Sequence, residues 1–529
     1  MITPRSALEH RQLRAPREHG AVLVDPPLDR VPELIAHNRA LHGPAHRELW
    51  GQAWADAVAE ARSDLRAQAF HYTRAYLDVP APAAADVPLL VTGHQPELYH
   101  PGVWFKNFAL SAAARRSGAH AIHILIDNDA VATPSVRVPC GSLAEPGTTH
   151  VALDGPAGEM PYEERAIVAA ETFASFAPRV LEQLLGAVDE PVITALWPRA
   201  QQAARQTGNL GRAISQARHQ LEAAWGLTTQ EVPLSYICRG PVFRRFLTHV
   251  LADLPRFRDI YNAALRDYRH VHRLRSRTHP VPELAQRDEW HEAPFWIWTA
   301  SDPRRRRLYA RPFAGGWEIS DLQQTTRAVT LMSDTHGSRA VEQWETLEGQ
   351  GVRIRPRALL TTMFIRLLLS DVFFHGIGGA KYDQLTDVII ERFFEWQPPE
   401  FLVLTATAQL WPAQRSQLET DLRQVEHRLR DLRFNPQRHV ARNAQTEALV
   451  AEKLRWIHNA AGEDLRTRHQ MLNRMNADLQ PFVAGDVRQL LAQQQARRRQ
   501  QLREQILTSR EYSFCLHPQR ALRAFLLDI

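Results

Sequence analysis

Lysine is nearly missing from this chain. Of its 64 basic residues only Lys106, Lys381 and Lys453 are lysines, although lysine ranks among the commonest residues of folded proteins. A bias that swaps lysine for arginine wherever either serves spares lysine where a compact charge with a movable pKa is needed. Cysteine is also scarce: Cys140, Cys238 and Cys515 are odd in number, far apart and form no C-x-x-C pair. That excludes a disulfide framework and a cysteine zinc site. No apolar run approaches 18 residues, which excludes a membrane-spanning helix. The first residues lack the apolar region of a signal peptide, so a cytoplasmic location is expected. G-x-S-x-G, H-E-x-x-H and a Walker lysine-serine pair are absent, as are helix-turn-helix, zinc-finger and RNP signatures.

What remains is ordinary globular material. Hydrophobic residues make up 44% and charged residues 23% of 529 positions, which argues against wholesale disorder and leaves room for several domains. The net charge of +6 is a mild excess for this length. The arginine runs at 304–307 and 497–499 are flanked by acids or glutamines and read as solvated surface, so a nucleic-acid partner is not expected.

Along the chain, residues 1–45 are rich in Pro, Arg and His without periodicity, an irregular N-terminal arm. Residues 46–154 hold a helix, a Pro/Ala linker and a β-loop-α-β unit with strands at 89–93 and 121–127 and a helix at 103–117. Such a unit predicts parallel strands in a doubly wound sheet. Residues 155–230 read as a helical insertion. Residues 231–411 read as the second part of the α/β core, with a β-rich segment at 294–332 and the sheet resuming from a strand at 352–355. Residues 412–510, rich in Gln, Arg, Glu and Leu and almost without Gly, predict an antiparallel helical or coiled-coil arm. Residues 511–529 form an apolar tail expected to dock on the core.

Three strand-end windows could carry chemistry. In the first, Thr92, Gly93, His94, Gln95, His100, Gly102 and Lys106 lie between a strand end and a helix start, where ligands bind in open α/β sheets and free amides favour an anion. In the second, Asp127, Asn128 and Asp129 follow the next strand. They fit an amine, ribose hydroxyls or Mg²⁺, or an ordinary Asp/Asn turn. The third is a Gly-rich turn, His375, Gly376, Gly378, Gly379, Lys381 and Asp383, whose amides could face an anion. The aromatic run 295–298 reads as core or as a pocket wall, the segment 334–337 as a turn, and Lys453 as a surface residue of the arm.

At T-G-H-Q-P-E-L-Y-H-P-G…K the sequence resembles the bacillithiol-biosynthesis cysteine ligase (BshC) family, whose first segment is T-G-Q-Q-x-G-L-x-x-G-P-like and is followed by a lysine-bearing helix. The order of parts is similar too: α/β core, helical insertion, later Gly-rich segment, coiled-coil arm and short C-terminal return. Thr92, Gly93, His94, Gln95 and Lys106 match the first family segment. The family's glutamine pair reads His94-Gln95 here, and its E-D-H-D-like element reads Asp127-Asn128-Asp129-Ala130. The resemblance implies a Rossmann-like (HUP-like) nucleotide-binding core, amide formation between cysteine and an amino-sugar malate conjugate, and a homodimer. On that expectation His94, His100, Lys106, His375 and Lys381 are catalytic, and the other residues of the three windows bind substrate or nucleotide. ATP or another nucleotide with Mg²⁺ takes part, the substrate is a small molecule, and no protein-held metal or membrane is involved. The competing expectations are a non-catalytic coiled-coil adaptor with a degenerate core, and an RNA- or DNA-binding protein.

Overall fold

LLVTGH, HAIHIL, QEVP, VFFHG and FLVLTA are short runs rich in apolar, mostly β-branched or aromatic residues, and each forms a strand. The computed structural model describes all residues except 1–12, 42–46, 132–133, 187, 277, 314–315, 330–336, 413–417 and 459–463, so the 334–336 part of the expected turn lies outside the described residues. It divides into two compact units, one comprising Met1–Val138, Thr149–Leu410 and Arg510–Ile529, the other Pro139–Thr148 and Trp411–Ser509.

The first unit is mixed α/β. Its main sheet contains β1 (Val22–Asp25), β2 (Leu89–His94), β3 (His120–Leu125), β4 (Gln230–Pro233), β5 (Val372–Gly376) and β6 (Phe401–Ala406). They are ordered β1-β6-β5-β2-β3-β4. β1 is antiparallel to β6, and every other neighbour pair is parallel. The N-terminal segment is therefore not wholly irregular. VLVD supplies an edge strand, and the helix Val31–Leu41 buries Asn38, whose side chain donates to the carbonyls of Asp371 and Glu400 at 2.7 and 2.8 Å. Four apolar-patterned residues beside two prolines are too short a run to show periodicity.

Leu89, Val91, Ile122, Ile124, Val232 and Phe373 join one core with the helices Trp54–Arg74, Pro241–Ala252 and Leu254–Val271. Alternation turns Leu90 and Phe374 to the opposite face, and the helix Pro101–Ser117 packs over β2, β3, β5 and β6. A second sheet is wholly antiparallel, with strands in the order Thr326–Val329, Gly316–Ser320, Asp302–Phe313, Trp290–Thr299 and Val352–Pro356. The strand at 352 thus closes this sheet rather than resuming the parallel one, which returns only at β5. Within 155–230, the segment expected to be a helical insertion, a two-residue strand, Met160–Pro161, precedes the helices, of which Ile193–Thr207 and Leu210–Ala224 are the longest. The tail belongs to the first unit: Phe514 N–H donates to Tyr99 O, and Val192 N–H to His517 O.

In the second unit the 43-residue helix Leu465–Leu507 runs back along Leu418–Phe434, burying Leu432, Val483 and Leu490 between them. Lys453 is not a surface residue. It is 2% exposed, and its Nζ donates to Phe434 O (2.9 Å), to Gln437 Oε1 and to Asn476 Oδ1. Three acceptors converge on one point, which suits an ammonium and not a planar fork. Lys453→Arg is expected to destabilise the arm by about 1–3 kcal/mol, the cost of leaving buried polar groups unpaired. The check is faster amide hydrogen exchange near Phe434 and Asn476 with the core amides unchanged.

Candidate active site

The strand order reverses between β2 and β5, the crevice where open α/β sheets bind ligands beyond the carboxyl ends of their strands. A cavity of about 680 Å³ lies there. The helix after β2 begins at Pro101, and His100 caps it: its Nδ1 accepts the Gly102 N–H at 3.1 Å. The His100 proton therefore sits on Nε2, 3.7 Å from Glu511 Oε2. Burial pulls the His100 pKa down to about 4.

Lys106, one turn into that helix, is 3% exposed and donates from Nζ to Gly93 O at 2.8 Å. Burial, with a smaller contribution from the Arg218 guanidinium, lowers its pKa to about 7. His94 ends β2. Its Nδ1 lies 3.3 Å from the Gln95 carbonyl, which can only accept, so Nδ1 carries the proton and Nε2 presents a lone pair. Burial first, then the Lys106 charge, holds His94 well below the usual histidine range.

The third window is not a loop. The helix Ile377–Ile389 starts directly after β5 with Gly376 as N-cap, so Gly378 and Gly379 are its first turn. Gly379 has a packing reason: a Cβ there would lie 1.9 Å from His375 Cε1. Gly379→Ala is expected to displace the His375 ring and cost about 1–3 kcal/mol of overpacking, read by thermal melting and by a shifted His375 imidazole resonance. His375 Nε2 is 3.5 Å from Asp383 Oδ2, and burial lowers its pKa to about 4 against the opposing pull of Asp383.

Several expected residues stand apart from the cavity. Lys381 is exposed, and its carbonyl accepts the Tyr268 hydroxyl. With the helix starting at Ile377, position 381 is carried round to solvent, so Lys381 does not join His375. Thr92 is buried in the sheet, tied to Phe374 O at 2.8 Å. Asp127 accepts the Ser235 N–H at 2.9 Å and the Ser235 hydroxyl, so it anchors the turn after β4. Asp383 is buried under Arg366 (3.0 Å), Thr362 (2.6 Å) and Thr386 (2.8 Å). Gly93, Gln95, Gly102, Asn128, Asp129, Gly376, Gly378 and Gly379 do line the cavity.

The second sheet brings Trp296, from the aromatic run that read as core or as a pocket wall, together with arginines that read as solvated surface or were not singled out. Trp296, Arg305, Arg307 and Arg357 line the same cavity. Trp296 lies between two guanidiniums, Arg305 at 5.0 Å and Arg357 at 4.4 Å from its ring centre. Arg305 donates to Asp129 Oδ1 at 2.8 Å, whose other oxygen accepts Gln95 Nε2 at 2.8 Å. Arg357 donates one N–H to Glu292 at 2.7 Å, while its Nε and Nη2 are buried without a partner. The tail adds Arg510, donating to Thr405 Oγ1 at 2.9 Å. Arginine at alternate positions 305 and 307 of one strand was the available signal, since period-two spacing sends both to one face.

The cations Lys106, Arg305, Arg307, Arg357 and Arg510 outnumber the acids Asp129 and Glu511 on this wall, and two helix N-termini open on it. The arrangement attracts an anion and offers it guanidinium planes beside a neutral imidazole with a free lone pair. No protein-family model matches the chain, and no curated protein matches it.

Proposed function

We propose that the cavity binds a nucleotide and that the chain is a Rossmann-like, BshC-like ligase joining an amino-acid carboxylate to a small-molecule amine. The observation that carries this reading is the meeting of two helix N-termini, Pro101 and Ile377, and the buried Lys106 at the strand-order reversal. Read from β4 to β6, the parallel strands follow the chain order third, second, first, fourth, fifth, which supports a doubly wound, HUP-like core.

Amide formation needs three things, and each has candidates. Phosphate charge must be neutralised: the helix amides, Lys106 and the unpartnered N–H groups of Arg357 fit it. A planar base must be seated: the guanidinium planes of Arg305 and Arg357, which flank Trp296, offer stacking faces. The carboxylate must be activated by the nucleotide so that a phosphate oxygen leaves as the C–N bond forms, and the proton that the neutral amine nitrogen sheds on adding to the acyl carbon is accepted by His94 Nε2. Among the described residues no cluster of three His, Cys, Asp or Glu could hold a metal. A Mg²⁺ accompanying the nucleotide would be held mainly by phosphate oxygens, with Asp129 the cavity carboxylate able to reach it.

Titration calorimetry of the full chain with ATP, GTP, CTP and AMP, each with Mg²⁺, is expected to give saturable binding to at least one. Mass spectrometry of mixtures with cysteine and amino sugars is expected to show an amide product. No nucleotide binding would overturn the reading. A steep salt dependence of RNA or DNA binding would favour a nucleic-acid function instead.

A further inference from the structure

A second cavity of about 700 Å³ shares no lining residue with the first. Its walls include Trp50, Trp54, His249, Phe393, Phe394 and Trp396. Two of its bordering residues adopt backbone that bulky side chains avoid: Trp50 at φ 47° and Glu395 at φ 54°. The conformation at Trp50 is enforced. Its carbonyl accepts Arg245 Nη1 at 2.8 Å, and it is met by Gly337, where a Cβ would lie 2.2 Å from that oxygen. Residues Ile390–Phe394 form a π-helical turn, a feature that recurs at functional sites.

The charges at this cavity are already committed. Arg47 donates to Phe394 O (2.8 Å) and Glu395 O (2.6 Å), and Arg256 to Arg392 O (2.9 Å) and Phe393 O (3.3 Å). Glu395 and Asp253 lie 3.5 Å from Arg256. Arg47 and Arg256 stand against Glu48, Asp253 and Glu395 in the lining, a near balance that gives no strong excess of one sign to select an ion. Two indole N–H groups and one imidazole, by contrast, have no hydrogen-bond partner among the described residues. The indole Nε1 atoms of Trp50 and Trp54 are buried without an acceptor, and Trp54 is 3% exposed. Among the described residues His249 makes no hydrogen bond. Its ring lies nearly parallel to Phe394, at 9° and 5.5 Å, as Phe246 does at 6° and 6.0 Å.

We propose that this cavity is a binding site for a neutral, planar heteroaromatic molecule that lies along the His249–Phe394 ring planes and hydrogen-bonds to the His249 imidazole. Its parallel rings favour a flat ligand, and its unpartnered imidazole favours one bearing ring nitrogens or an amide group. Burial keeps His249 neutral, with a pKa of about 4, so it offers one donor and one acceptor. The site uses no group of the proposed ligase chemistry and stands whether or not that reading holds.

The test is calorimetry and saturation-transfer NMR of the full chain at pH 8 with nicotinamide and with isoquinoline, both neutral there. Saturable binding of at least one is expected, weakened tenfold or more by His249→Leu and within threefold of the original in His249→Asn, which keeps a donor and an acceptor. No saturable binding of either probe overturns the proposal, as does an unchanged affinity in a His249→Leu protein that melts like the parent. Should His249→Leu not fold, His249→Phe keeps a flat ring and removes both imidazole nitrogens: at least threefold weaker binding is expected, and unchanged binding overturns the proposal. ATP binding in the first cavity is expected to be the same in all these variants.

Discussion

Lys106→Met is expected to weaken nucleotide binding at least tenfold, about 1.4 kcal/mol, whereas Lys381→Met leaves it within twofold. The two lysines looked equivalent by context, and burial separates them. Lys106 is 3% exposed on the cavity wall, while Lys381 faces solvent outside it. Burial lowers the Lys106 pKa to about 7, so at pH 8 roughly one molecule in ten carries the charge. An arriving phosphate favours the ammonium and raises that pKa again, so binding at pH 8 draws a proton from solution.

The sign can be followed through the free protein as well. The folded pKa of Lys106 lies below the unfolded value of 10.5, so between about pH 7 and 10.5 the unfolded chain holds more protons. The contribution of Lys106 to stability therefore rises with pH across that window. A bound anion flattens the rise. Calorimetry at pH 8 in HEPES and in Tris, buffers of different ionisation enthalpy, measures the uptake directly. Proton uptake is expected in the parent and Lys381→Met proteins and is expected to vanish in Lys106→Met. Equal uptake in Lys106→Met would assign the proton elsewhere, with the histidines the remaining candidates.

How much of this was visible beforehand depends on range along the chain. β2, β3 and β6 and the helix after β2 follow from apolar runs and glycines within about twenty residues, and so does the meeting of His94, His100 and Lys106. The start of the helix after β5 is hidden because Gly378-Gly379 reads as a turn. Only the fold shows that the glycines make room for His375. Arg305 and Arg307 sat in a run indistinguishable from solvated surface until the pairing of 302–313 with 290–299 set which arginines face inward. The acceptors of Lys453 come from positions 434, 437 and 476, which meet only when the arm has folded back on itself. Asp127 turned out to anchor Ser235, more than one hundred residues away. Residues whose partners are local were legible, and residues whose partners are distant were not.

Arg218→Met is expected to be the most destabilising single change, by about 3–5 kcal/mol, because it strands buried carboxylates. Arg218 is 1% exposed, and both Glu222 and Glu231 are fully buried. One Nη donates to Glu222 Oε1 at 2.7 Å and the other to Glu231 Oε1. Glu222 also accepts Asn107 Nδ2 at 2.8 Å and the Trp104 indole N–H, and Glu231 lies 2.7 Å from His123 Nδ1. These groups tie the helices Pro101–Ser117 and Leu210–Ala224 to β3 and β4 beneath the active-site wall. Burial, the largest single influence, would raise the Glu231 pKa, yet the Arg218 guanidinium together with His219 and His123 outweighs it and holds the carboxyl well below its usual range. In the parent protein the stabilisation is therefore complete above the unfolded pKa of about 4.5 and is lost as pH falls through the lower folded value. With methionine in place of arginine the sign reverses: burial dominates, the Glu231 pKa rises above 4.5, and protonation relieves the penalty. The gap between parent and Arg218→Met is thus expected to be widest near pH 7.5 and to narrow toward pH 5. Urea unfolding at the two pH values measures it, and a gap independent of pH would show that lost packing, rather than stranded charge, sets the cost.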